Sequence, residues 1–325
     1  MNRRAWLAFA ALSVIWGVPY LFIKVAVDGG ISPFFLAWAR LFLGAALLTA
    51  IAPRQTREML TRGPRRWILA YAIVEMAVPF PLLGAGEQEV DSSVAAIIIA
   101  TVPLLIALLA VRFDRTERPT PTRLIGMLVG LAGVIALVGI DLSGRSGEVL
   151  GAAAVMVAAV GYAAGPLIIK QKLLSYDNFA TMGASLWVAG AALTPFGLLS
   201  VPDSVPAADA LISLIVLGLL CTATAFVILM TLVSEVGAGR ASIITYINPV
   251  IAVALGVIVL GESPGAGAIA GLLLILAGSW LSTDGRLPPG SRAVVTRLRG
   301  RRRQPEAEPS VAVRASPMAM KRGTT

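Results

Sequence analysis

Two charged side chains stand deep inside apolar stretches of this chain, where ionised groups are rare. Arg40 lies eight residues past Ser32, and Glu75 lies eight past Trp67. A charge at the centre of a bilayer costs at least ~2.5 to 3.5 kcal/mol on insertion scales and normally faces a protein interior or an aqueous cavity. At ~1.5 Å of rise per residue, each sits ~12 Å from opposite ends of a membrane-spanning helix. In a hydrocarbon core about 30 Å thick their backbones then differ in depth by only about 6 Å. An Arg side chain can bridge that distance if the two helices face one another. The two residues could then be a structural ion pair, or Arg40 could attract an anionic group while Glu75 binds a cation or a proton.

Glycine and proline supply the second set of candidates. Gly17-Val18-Pro19 and Gly165-Pro166 fall at corresponding places in two apolar stretches, and so do Pro103 and Asn248-Pro249; Pro79-Phe80-Pro81 adds a further break. Proline removes a backbone donor and crowds the preceding turn, so each is a packing kink or a point where a freed carbonyl faces a cavity. Occurrence in matched pairs favours the cavity. The hinge or helix-break candidates are Gly17, Pro19, Pro79, Pro103, Gly165, Pro166 and Pro249. The candidate substrate-contacting residues are Trp16, Tyr20, Arg40, Glu75, Tyr162, Tyr246 and Asn248.

Other chemistry is poorly supplied. The chain has no His and a single Cys, Cys221, which removes the commonest metal ligand, the usual acid–base residue near neutral pH and any disulfide or paired-thiolate site. Without His and without an Asp-rich pair of motifs there is nothing from which to build an intramembrane enzyme. No metal, no cofactor and no catalytic residue is expected.

The elements that must hold these residues follow from composition. Of 325 residues, 57% are hydrophobic and 14% charged, against about 25% charged in soluble domains, so the bilayer is the solvent. Apolar runs at 6–27, 32–52, 67–86, 91–111, 122–140, 149–169, 178–199, 208–233, 240–260 and 264–283 read as ten spanning helices. The first reads as a retained span rather than a cleaved signal. Basic residues gather in alternate loops: Arg54, Arg57, Arg62, Arg65 and Arg66; then Arg112, Arg115, Arg118 and Arg123; then Lys170 and Lys172. The positive-inside rule therefore places both termini of this multi-pass membrane protein in the cytoplasm.

Glu87-Gln88-Glu89 reads as a solvated outer helix end, and Lys24 and Lys170 as side chains snorkelling at helix ends. Residues 284–325 carry ten Lys and Arg against Asp284, Glu306 and Glu308. This basic segment reads as a disordered cytoplasmic tail, a topology determinant attracted to lipid rather than to nucleic acid. The glycines of spans five and ten, among them Gly126, Gly130, Gly133 and Gly271, read as packing surfaces within one chain or between two copies of a homodimer.

The chain repeats itself. A shift of 146 residues aligns Leu21, Ile23 and Lys24 with Leu167, Ile169 and Lys170, and Gly44-Ala45-Ala46-Leu47 with Gly190-Ala191-Ala192-Leu193. The same shift aligns Phe80 with Phe226, Glu89-Val90 with Glu235-Val236 and Pro103 with Pro249. After a one-residue slip, Glu117-Arg118-Pro119 meets Glu262-Ser263-Pro264. The organisation read from this is a cytoplasmic N-terminus (1–5), a first five-span repeat (6–140), a second (141–283) and the tail. A five-span unit ends on the side opposite its start, so the second copy inserts upside down, the arrangement of alternating-access carriers.

These features resemble the drug/metabolite transporter superfamily, specifically its EamA-type members. The likeness is carried by Trp16-Gly17, Lys24 and Arg40, by Ser92-Ser93-Val94-Ala95-Ala96 leading to Thr101-Val102-Pro103, and by Glu117-x-Pro119 with Gly126 and Gly133. In the second half it is carried by Asn248-Pro249, Gly261-Glu262-x-Pro264, Gly271 and Gly278. The first repeat departs from the usual Gly-Glu, having Thr116-Glu117. The resemblance implies an all-α integral membrane fold of ten helices in two inverted repeats. It also implies a secondary transporter, in most cases an exporter, of a small metabolite such as an amino acid, a nucleoside or a drug-like solute, with proton coupling left open. The alternatives are a lipid-linked sugar flippase or nucleotide-sugar carrier, and a membrane sensor or scaffold that does not transport. The resemblance assigns no role to Glu75.

Overall fold

The computed structural model describes residues 3–113, 120–141, 146–236, 244 and 247–282. Tyr246, the Glu117-x-Pro119 motif and the basic tail lie outside these residues. Among the described residues there is no strand.

Span one is two helices, α1 (Arg3–Gly17) and α2 (Pro19–Asp28), and span two is α3 (Pro33–Ile51). A short basic helix, α4 (Pro53–Arg62), leads to span three, built from α5 (Arg65–Ala72), a π turn (Ile73–Ala77) and α6 (Pro79–Glu89). Span four is α7 (Ser92–Ile99) and α8 (Val102–Phe113), and span five is α9 (Pro121–Asp141). In the second half, α10 (Ser146–Ile168) runs into a π turn (Ile169–Leu173) as span six, and α11 (Asn178–Leu199) is span seven. Span eight is α12 (Ala208–Gly218), a π turn (Leu219–Thr224) and α13 (Ala225–Val236); α14 (Asn248–Leu260) and α15 (Ala266–Ser282) complete the set. Seven spans are long and apolar enough to cross a membrane by length and composition, and the shorter apolar helices Leu124–Leu137, Asn248–Leu260 and Ala266–Leu281 make ten.

Local sequence explains where these helices start and stop. Pro19, Pro33, Pro53, Pro79 and Pro249 each occupy the first turn of a helix, where a missing N–H costs no bond. The Ser32 hydroxyl accepts from Phe35 N at 3.2 Å and Asp177 Oδ1 from Ala180 N at 2.8 Å, as helix N-caps do. Gly261, at φ 69°, ends α14 in the left-handed conformation that glycine adopts without penalty.

The two five-span units interlock. α9 packs on α15, α3 on α11, α7 on α14, α6 on α10 and α2 on α12. The first three pairings map onto themselves under the 146-residue shift, and the last two exchange with each other, so the copies are related by a pseudo-two-fold axis. Glycines let these backbones touch. A Cβ added at Gly133 would lie 2.9 Å from the Gly271 carbonyl, and one added at Gly271 would lie 2.9 Å from that of Gly133. Gly278 likewise abuts Gly126 and Gly130. The small-residue faces of spans five and ten are thus filled by each other within one chain. Leu128, Leu131 and Ile135 of α9, with Ile258 and Leu273, point outward and remain exposed, which suits a lipid-facing surface.

Candidate functional site

Span three and span eight each open into a π turn, at Ile73–Ala77 and Leu219–Thr224. The two turns start 146 residues apart, at equivalent places in the two copies. A π turn inserts one residue into the helix and leaves its regular bonding, which is why such turns mark functional positions more often than plain helix does. In the second turn the freed carbonyls are taken by threonines: Thr222 Oγ1 donates to Leu217 O and Thr224 Oγ1 to Leu219 O, both at 2.8 Å.

Arg40 meets this second turn. It is 5% exposed, and its Nε and Nη2 donate to Thr222 Oγ1 at 3.2 and 3.0 Å. Its guanidinium carbon lies 4.1 Å from the centroid of the Phe80 ring, a cation–π distance. The pairing with Glu75 that the depths allow does not form: the guanidinium of copy one is held by a hydroxyl of copy two and an aromatic face of span three.

Glu75 sits in the first π turn, buried, and its Oε2 has no hydrogen-bond partner. The space for this carboxyl comes from Gly165 of α10, where an added Cβ would run into it. Gly161, one turn earlier, approaches the same segment, with an added Cβ 2.6 Å from Pro79 Cγ. Tyr162, on the turn between these glycines, is a half-buried phenol within electrostatic reach of Arg40, Glu75 and Glu87, and its ring lies 6.4 Å from that of Phe80. Buried Tyr20 of α2 interacts electrostatically with Tyr162 and Glu87. Tyr20, Arg40, Glu75 and Tyr162 therefore come together.

The remaining expectations fall elsewhere. Trp16 ends α1 and packs edge-on against Phe226 at 5.9 Å. Gly17 lets α1 approach α14, where an added Cβ would come within 2.6 Å of Ile251. With its amide turned so that nitrogen faces the acceptors, Asn248 donates to Ser13 O at 3.1 Å and Ile244 O at 3.0 Å, strapping α14 to α1. Span one breaks at Val18, just before Pro19, and span four at Ala100-Thr101, just before Pro103. Span three leaves regular α geometry just before Pro79. At Gly165-Pro166 the structure differs from the expected break: α10 continues through both residues, with Pro166 exposed, and departs from α geometry only in the π turn that follows. The two copies thus hold their first spans differently.

Glu87 was expected in solvent, and this is corrected. Helix α6 continues regularly to Glu89, so Glu87, seven residues past Phe80, shares the inward face while Gln88 and Glu89 are exposed. Glu87 is 0% exposed and neither carboxyl oxygen has a hydrogen-bond partner. At the end of span one, Lys24 Nζ donates to Glu87 O at 2.8 Å and pairs with Asp28 at 3.4 Å. Sequence reasoning also passed over Thr222 and Phe80. The 146-residue shift offered a signal for the first, because it places span eight's centre opposite Glu75.

A further contact joins the copies. Glu262 accepts from Ser92 N at 2.8 Å and Ser93 N at 3.0 Å, and from the Ser93 hydroxyl, capping the start of α7 with a carboxylate, the charge a helix N-terminus favours.

The profile of the EamA-like transporter family matches residues 3–139 and 149–283 of this chain, once for each copy. Among curated relatives, the chain is 26% identical to the uncharacterized transporter YoaV of Bacillus subtilis, over 86% of this chain and 97% of that one. It is 28% identical to the uncharacterized inner membrane transporter YedA of Escherichia coli K12, over 79% and 83%. It is also 28% identical to a protein of Streptantibioticus cattleyicolor named a probable terminal-alkyne amino-acid exporter, over 85% and 94%. A solved crystal structure superposes with a TM-score of 0.63 at 19% identity, over 92% of this chain and 99% of that one, which supports the fold.

Proposed function

We propose, because this chain belongs to the EamA-like transporter family, that it exports a small zwitterionic metabolite of the amino-acid type by alternating access. The observation that carries the substrate class is the closed cluster in which a buried guanidinium, Arg40, and a buried carboxyl with an unpartnered oxygen, Glu75, surround the Tyr162 phenol. A cargo carboxylate would replace the Thr222 hydroxyl on Arg40, and a cargo ammonium would give Glu75 Oε2 its partner. Hydrogen bonds to charged groups contribute about 1.5 to 3 kcal/mol each, enough for two of them to select a zwitterion. The name of the Streptantibioticus relative, an amino-acid exporter, points the same way.

Alternation follows from the repeat. Two copies of one unit, held differently at Pro19 and at Pro166, can exchange their conformations, turning a cavity open to one side into a cavity open to the other. The site lies between copies, so the exchange moves its walls and leaves its contents in place.

Reconstitution into liposomes with amino acids, nucleosides and drugs tests the class. Export of amino acids alone agrees with the proposal; uptake of nucleotide sugars, flipping of a lipid-linked sugar or no transport at all would favour the other readings. The basic loops support cytoplasmic termini, and the name of the Escherichia coli relative supports the inner membrane. A topology reporter fused at Thr325 should read inside, and one in the 200–207 loop outside.

A further inference from the structure

We propose that the Glu87 carboxyl is a proton-binding site, loaded from the pocket beside Lys24 and Glu262, and that its proton is exchanged for cargo. The site stands on its own geometry; the exchange rests on the export reading above.

Glu87 and Glu262 are a contrast within one end of the molecule. Glu262 accepts two backbone N–H groups and a hydroxyl. Glu87 is fully buried and neither of its oxygens has a donor. A buried carboxylate without donors is strongly disfavoured, whereas the neutral acid is far less costly to bury.

The groups around it do not supply a compensating charge. From α2 come Tyr20, Lys24 and Asp28; from α3, Arg40; from α10, Tyr162; and from the turn after α14, Glu262. The Lys24 ammonium is engaged by the Glu87 main-chain carbonyl and by Asp28. Lys24 and Arg40 are matched in number by Asp28 and Glu262, and neither cation donates to a Glu87 oxygen.

Water stands close by. A pocket of about 450 Å³ is lined by Lys24, Asp28, Asp91 and Glu262, at the end of the bundle opposite the arginine-rich loops. Lys24 lines this pocket and also holds the Glu87 main-chain carbonyl, and a shift of this residue is the proposed route by which the carboxyl meets water. A hydronium ion then gives its proton to a Glu87 oxygen, forming an O–H bond and leaving water. After the copies exchange, the proton passes to water on the inner side, and cargo bound there travels outward as the copies exchange back. With one proton per cargo, one pH unit of gradient, acid outside, sustains about a tenfold cargo ratio.

The test uses the full chain in liposomes, compared at acid and neutral pH by infrared difference spectroscopy. The wild type is expected to show a protonated-carboxyl band that disappears in Glu87→Gln, moves in Glu87→Asp and persists in Glu75→Gln. The same vesicles, given radiolabelled L-amino acids and one pH unit of gradient, should reach about a tenfold ratio. The ratio should fall to one with Glu87→Gln and recover in part with Glu87→Asp, which separates proton loss from misfolding. A band unchanged by both Glu87 substitutions overturns the site. A tenfold ratio retained by Glu87→Gln overturns the exchange. A Glu87-dependent band in a protein that moves no amino acid supports the site and overturns the export reading.

Discussion

Arg40 Nη2 lies 3.0 Å from Thr222 Oγ1, so the deepest cation of the first repeat is satisfied by a π turn of the second. The bond spans the interface whose rearrangement alternating access requires. Replacing Thr222 by Val keeps the shape and removes the acceptor of two guanidinium donors. Leaving such buried donors unpaired costs about 1 to 3 kcal/mol. The Thr222→Val protein is expected to unfold at lower temperature in detergent and to transport poorly, and Thr222→Ser to restore both. Equal thermal unfolding of the Val and Ser variants would contradict this.

Gly165 and Glu75 are fitted to one another. Gly165→Ala forces a methyl into the Glu75 carboxyl and should lower stability and transport together. Glu75→Ala vacates that space, so adding Gly165→Ala to it should do little further harm. A double-mutant cycle on unfolding free energy is expected to give coupling of about 0.5 to 3 kcal/mol, the range for residues in contact. Additive effects would mean the two do not share the site.

Glu262 and Ser93 hold the copies together at the start of α7. Loss of a helix cap costs about 0.5 to 2 kcal/mol, and both Glu262→Ala and Ser93→Ala should fall in that range. Each removes part of one contact, so the double variant should lose less than the two losses combined. Calorimetry of the purified proteins reads this directly.

Much of the fold was legible in the sequence because its signals are long and redundant. Apolar runs marked ten spans, alternate basic loops indicated their direction, and the 146-residue shift revealed two copies. Arg40 and Glu75 stood out because a charge in an apolar run has few explanations. Glu87 was hidden by its neighbours: beside exposed Gln88 and Glu89 it looks like a helix end, and only the register from Phe80 reveals the buried face. Thr222 was hidden for another reason, since threonine is ordinary in a membrane helix until an arginine from the other copy reaches it. The π turns carry no residue signature of their own. Pro166 misled because proline usually interrupts a helix, whereas here it is exposed and the departure from α geometry comes one turn later.

The central claim is that one closed site reads both charges of a zwitterion, and transport of charge-deleted analogues tests it most directly. Vesicles bearing the wild type should move a free L-amino acid at least about tenfold faster than its methyl ester or its N-acetyl derivative, as the loss of one charged hydrogen bond requires. Arg40→Gln should abolish the preference for the free acid over the ester, and Glu75→Gln the preference for the free amine over the acetylated form. Equal rates for all three compounds in the wild type, or an unaltered preference in both variants, would contradict the account.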